Sequence, residues 1–189
     1  MLLRLHGPRA VAIAFAVPLV VLLASVRTSV GFWDAGDLQT VVWIGGIPYP
    51  TGFPGYVLIG WLWTHVLPFG SVAARVNALS AVSVACGAAT ITALALLFEA
   101  LPLLAILGGW TFAFAHTVWF RATYADVHPL GFAVAFVAVA LAGAAVAIDN
   151  TTVLILFGGV VVSLARRWPV RVVATGVAVA AAIVVAAYA

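Results

Sequence analysis

Two carboxylates, Asp34 and Asp37, stand three residues apart in the run Phe32-Trp33-Asp34-Ala35-Gly36-Asp37, just beyond an apolar stretch. If that run is helical, both acids share a face. A carboxylate held beside a hydroxyl can take its proton as the oxygen attacks an electrophile, which contributes roughly 10²- to 10⁴-fold to rate. The plainer alternative is that these acids solvate a loop or cap a short helix. A second polar segment, residues 121–128, carries Arg121, Tyr124, Asp126 and His128. Arginine offers a planar fork that matches phosphate oxygens, which makes Arg75 and Arg121 candidates for an anionic group. Both stand at the ends of apolar runs, where an arginine also snorkels to lipid headgroups. The four histidines show no metal-ligand spacing, so no metal ligands are assigned. His128 and Asp126 are close enough in sequence for a local hydrogen bond.

The elements that carry these residues are apolar. The chain is 66% hydrophobic and 7% charged, with a mean hydropathy of +1.26, too little polar surface to cover a water-soluble globule of 189 residues. Lipid is the expected main solvent, and the expected fold is an all-α polytopic transmembrane helical bundle forming one domain over residues 1–189. The net charge of +3 is carried by scattered arginines, a distribution that argues against nucleic acid as a partner. Cys86 is alone in an apolar run and reads as packing.

Hydropathy places spans at about 10–26, 78–98, 101–120 and 129–148, a short segment at 153–165, and a last span at 172–189. The first could also be read as the apolar stretch of a signal peptide, but no clear cleavage site follows it. Between residues 45 and 55 three prolines and four glycines rule out a continuous helix. Residues 56–67 are apolar and aromatic, but twelve residues reach only about 18 Å, short of a hydrocarbon core of about 30 Å, so an interfacial position is expected. With Arg4 and Arg9 on the cytoplasmic side, span parity puts the loops at about 27–71 and 121–128 on the same outer surface. The acids of both loops are then expected there together. Arg166, Arg167 and Arg171 fit that parity poorly, so the orientation after residue 150 is left open. The last span ends without a polar tail, as in a fragment of something longer.

The order of the polar elements along the chain carries a further reading. Asp34 and Asp37 are followed by Pro48-Tyr49-Pro50-Thr51-Gly52-Phe53-Pro54, then by Arg75-Val76-Asn77-Ala78-Leu79-Ser80-Ala81, and later by Tyr124-Ala125-Asp126-Val127-His128-Pro129-Leu130. This order resembles the bacterial membrane proteins grouped with the protein O-mannosyltransferases, within the GT-C glycosyltransferase superfamily. Their first outer loop carries Asp-x-Gly-Glu, then His-Pro-Pro-Gly-x-Pro, then Arg-x-Asn-x-x-Ser-Ala, and their second carries acidic-Val-Tyr-x-Leu. Asp37 stands where that pattern has glutamate, Tyr49 where it has histidine, Thr51 where it has proline and His128 where it has tyrosine.

The resemblance implies a GT-C-like N-terminal module with a long first outer loop containing short interfacial helices, in a multi-pass protein of the bacterial plasma membrane. It further implies transfer of a sugar, mannose-like, from a polyprenyl-phosphate carrier to a hydroxyl of a protein or glycan acceptor. Asp34 is then the first choice of base, with Asp37 and Asp126 orienting the acceptor or stabilising charge at the sugar. Arg75, Asn77, Tyr49, Arg121 and His128 are the implied substrate-binding residues. A divalent cation is compatible with the acids, and no cofactor is required. Two other readings stay open: a non-catalytic fragment or accessory subunit of the same fold, and a small transporter, since acids near the interface also mark ion and substrate pathways.

Overall fold

The computed structural model describes residues 7–48 and 52–148, and side chains on its last helix up to residue 138. Segments 153–165 and 172–189, the Asp149–Thr152 stretch and Tyr49 lie outside the described residues. Two compact units are present, Met1–Leu141 and Ala142–Ala189, and the architecture below is that of the first.

The regular structure among the described residues is all helical, in seven helices without a strand: α1 (Gly7–Ser25), α2 (Asp34–Ile44), α3 (Pro54–Val66), α4 (Val72–Leu97), α5 (Pro102–Phe114), α6 (His116–Ala122) and α7 (Val127–Ile148). Helices α1 and α4 are long and apolar enough to cross a membrane, and the α5–α6 pair makes a third span if it crosses as one. The protein is a helical membrane bundle.

Helix α1 buries Ala10, Ala14, Pro18 and Leu22, a strict four-residue spacing that puts one small-residue stripe against its neighbours. The start of α1 packs by Ala10 and Ala14 on Ile106 of α5 and Leu96 of α4. Its end packs by Leu22 on Ala81 and Val84 of α4, Ala113 of α5 and Ala122 of α6. Helix α4 therefore runs antiparallel to α1 and α5, and the end of α1, the start of α4 and helix α6 meet at one end of the bundle.

Helix α4 is the axis of the unit. The expected span at 78–98 begins earlier, at Val72, because the Ser71 hydroxyl caps the helix by accepting from the Ala74 N–H at 3.1 Å. Close approach to α5 depends on small residues. A Cβ added at Gly109 would lie 2.5 Å from the Ala88 carbonyl oxygen and 2.6 Å from Thr92 Oγ1. That oxygen donates to Ala105 O at 3.1 Å, a hydrogen bond between the two helices. Gly109→Leu is expected to destabilise the bundle by about 1–3 kcal/mol through this overpacking. Gly108→Leu, with nothing within 4 Å of its added Cβ, serves as the control. Thermal unfolding of both variants in one detergent checks the difference.

The expected continuous span at 101–120 is broken. Ala115 adopts φ −58° and ψ 133°, outside the helical region, and α6 leaves α5 at 65°. The Gly/Pro-rich stretch after residue 44 ends α2 as composition requires: Gly45 sits at φ +68°, and the Gly45 and Gly46 N–H groups both return to Val41 O. Pro54 then opens α3 at a position where its missing N–H costs nothing.

Candidate active site

The two polar loops are stitched together at the end of the bundle where α1 stops. Just past α1, the Arg27 N–H donates to Thr123 O at 3.1 Å, and Asn77 Nδ2 on α4 donates to Arg27 O at 2.8 Å. Asn77 is completely buried, and its Oδ1 accepts from Gln39 Nε2 on α2 at 2.8 Å. Gln39 Oε1 in turn accepts from the Gly31 N–H at 3.0 Å. One amide pair thus fixes the 27–31 segment, α2 and α4 in mutual position. Asn77→Ala would strand the Gln39 amide and the Arg27 carbonyl and is expected to cost about 1–3 kcal/mol for each group left without a partner. Faster amide hydrogen exchange across residues 27–39 would report it.

A second network fixes the other loop. Asp126, nearly buried, accepts from Arg121 Nη1 at 2.6 Å through Oδ2. Its Oδ1 lies 2.6 Å from His128 Nδ1 and accepts the His128 backbone N–H at 2.8 Å. A carboxylate oxygen only accepts, so a protonated Nδ1 donates to it, and Arg121 Nη1 lies 3.0 Å from the same ring nitrogen. The backbone bond caps the start of α7 in the manner of an N-cap. The Ser80 hydroxyl on α4 accepts the Asp126 N–H at 3.3 Å. The Tyr56 hydroxyl is buried against Ser80 and Asp126 without a hydrogen bond of good geometry. Burial, with the Asp126 charge adding to it, pushes its pKa far up and keeps the phenol neutral.

Between these two networks lies a cavity of about 690 Å³. Its polar lining brings Arg27 and Asp34 from one loop together with Arg121, Tyr124, Asp126 and His128 from the other, and Asn77 forms part of the wall. Tyr124 is raised in pKa chiefly by burial and then by Asp126, while Arg121 and Arg27 oppose the rise and Asp34 adds to it. Its phenol therefore stays a donor.

The acids differ in how they are used. Asp34 and Asp37 both occupy the first turn of α2, where negative charge suits the helix N-terminus, but only Asp34 lines the cavity. Among the described residues the Asp34 carboxylate has no ion pair, whereas both Asp126 oxygens are taken. Trp33, immediately before Asp34, holds φ +59° and is 90% exposed, as is Phe32 at 89%, so two aromatic rings stand free at the cavity's edge.

Arg75, expected beside an anion, is elsewhere. Its guanidinium donates to Thr64 O and, at 3.2 Å, to Leu67 O, and lies over the Trp43 ring at 5.3 Å from the centroid. It satisfies the carbonyls that end α3, a structural task for a helix C-terminus. Arg121 does reach the cavity, with its charge already met by Asp126. Among the described residues no three of His, Cys, Asp and Glu group to hold a metal ion, and both Asp126 oxygens are already bonded.

Sequence reasoning did not select Arg27, which ends the first apolar run and reads there as a loop boundary. Nor did it select Gln39 and Ser80, whose roles exist only once distant segments meet. Tyr124 was visible as part of a matched element without a role of its own.

Residues 34–188 match the family described as the protein O-mannosyl-transferase TMEM260 N-terminal domain. The chain belongs to this family. A curated relative, the protein O-mannosyl-transferase TMEM260 of Mus musculus, is 34% identical over 103 residues, covering 51% of this chain and 14% of the mouse protein. The chain thus matches a small part of that relative's length. No solved structure matches. In this member of the TMEM260 N-terminal domain family, the family match opens at Asp34, the cavity acid without an ion pair among the described residues, and takes in the whole Arg121–Asp126–His128 network.

Proposed function

We propose that this TMEM260-type domain forms the acceptor-activating part of a GT-C membrane glycosyltransferase, which moves a mannose-like sugar from a polyprenyl-phosphate carrier to a hydroxyl of a protein or glycan. A bacterial plasma membrane, with the cavity on its outer face, is the proposed setting. The observation that carries this reading is the pairing pattern among the described residues: one cavity holds a carboxylate without an ion pair, Asp34, beside a second, Asp126, whose two oxygens are both bonded.

In the proposed reaction the acceptor oxygen attacks the anomeric carbon of the donor sugar. A C–O bond forms there as the bond to the phosphate oxygen breaks, and the electron pair leaves with the phosphate. The acceptor proton moves to Asp34, the unpaired base. Tyr124, kept neutral by its surroundings, donates a hydrogen bond to the sugar or the acceptor. Asp126 holds Arg121 and His128 and so shapes the wall; His128 Nδ1 is committed to it, which leaves Nε2 as the imidazole's second bonding atom. Asp37, on the same helix turn but outside the cavity lining, supports the α2 N-terminus.

The test is transfer from radiolabelled polyprenyl-phosphate sugars to added membrane acceptors by the purified chain in lipid. Labelled acceptor formed from the mannose donor, and not from free mannose, supports the reading. Absence of product across several donor sugars and acceptors, with the fold verified, turns the weight to a non-catalytic module of the same fold.

A further inference from the structure

We infer that Arg27 is the group that receives the phosphate of the polyprenyl carrier, an assignment that rests on the donor class proposed above. The charges of the cavity lead to it. Two guanidinium groups line the cavity, those of Arg27 and Arg121. Arg121 is neutralised at 2.6 Å by Asp126, and a phosphate approaching it would have to compete with a nearly buried carboxylate. Arg75, the other arginine of a matched element, is turned to the end of α3 and lies outside the cavity lining. Arg27 is exposed, and among the described residues its side chain has no ion pair.

Its position is fixed although its side chain is free. The backbone N–H is tied to Thr123 O and the carbonyl to Asn77 Nδ2, so the Cα is held by both loop 121–128 and helix α4. Arg27 also stands two residues past the end of α1, a helix long and apolar enough to cross a membrane, and an arginine just beyond such a span suits the depth of lipid phosphates. The exposed rings of Phe32 and Trp33 share the cavity with it and offer apolar surface to the first isoprene units of a carrier. A permanent cation, an apolar edge and the free carboxylate of Asp34 in one cavity match the three parts of the reaction: leaving phosphate, lipid tail and acceptor hydroxyl.

The test measures binding of radiolabelled polyprenyl phosphate to the chain in phosphatidylcholine nanodiscs, beside uncharged polyprenol of the same length. Arg27→Gln is expected to weaken polyprenyl phosphate about tenfold or more, as loss of a charge-assisted contact does, and to leave polyprenol unchanged. Arg27→Lys is expected to recover most of the affinity, and Arg121→Gln to match Arg27→Gln only if the assignment is wrong. Phosphatidylglycerol in excess separates the sources: displacement of the polyprenyl phosphate would make Arg27 a general headgroup contact and overturn the assignment. Equal binding by the parent chain and Arg27→Gln would overturn it while leaving the transfer reaction standing. No binding of polyprenyl phosphate by the parent chain would remove the donor class, and this assignment with it.

Discussion

Replacing Asp34 by asparagine is expected to lower sugar transfer by about 10²- to 10⁴-fold, the range that a positioned general base supplies. The substitution keeps the shape and a hydrogen-bonding oxygen, and removes the negative charge and with it the ability to take a proton. Because Asp34 is exposed and without an ion pair, its stabilising part is confined to the charge it places at the N-terminus of α2, less than about 1 kcal/mol. Activity is therefore expected to fall without a matching loss of fold, and thermal unfolding of the variant beside the parent chain checks the second half. Asp37→Asn is the internal comparison. It removes the same charge from the same helix turn at a position off the cavity lining, and is expected to leave most of the activity in place. Equal losses for the two variants would point to helix electrostatics and away from a base.

Asp126→Ala should show the opposite balance. The carboxylate accepts from Arg121, from the His128 ring and from the His128 N–H, so its removal leaves a guanidinium without its counterion and the start of α7 uncapped. Loss of hydrogen bonds to a charged group costs about 1.5–3 kcal/mol, the lower end being expected because Arg121 and His128 are partly exposed. Asp126→Asn retains an acceptor for the His128 N–H and is expected to lose less. The measurement is a double-mutant cycle of Asp126→Asn with Arg121→Gln, read by thermal unfolding: direct pairing predicts a coupling within the range of about 0.5–3 kcal/mol, and additivity would deny the pair.

The chemistry-bearing segments were legible because they interrupt an apolar chain. Composition alone calls for membrane helices, and Gly45 and Pro54 end and begin α2 and α3 where turn chemistry places them. What hydropathy cannot see is a break without a breaker. Ala115 is neither glycine nor proline, yet the chain leaves the helix there, and a span drawn through residues 101–120 misses the bend. The site shows the same division. Asp34 and Asp126 stand out as acids in a chain with five, whereas separating Asp34 from Asp37 needs the face of α2, and separating Arg27 from Arg75 needs to know which carbonyls each guanidinium meets. Asn77 was read as a binding residue because it lies in a matched element. It does line the cavity, but its amide is spent on Gln39 and Arg27, a pairing across 38 and 50 residues that no local pattern encodes.

The most direct test of where the carrier-linked sugar binds is photoaffinity labelling with a polyprenyl-phosphate mannose bearing a diazirine on the sugar, followed by mapping of the labelled peptides. Label in residues 27–38 and 120–128, removed by excess unlabelled donor and reduced in Arg27→Gln, is the expected result. Label confined to the lipid-facing surfaces of α1 or α5, or label that excess donor does not displace, would contradict a donor site in the cavity between the two loops.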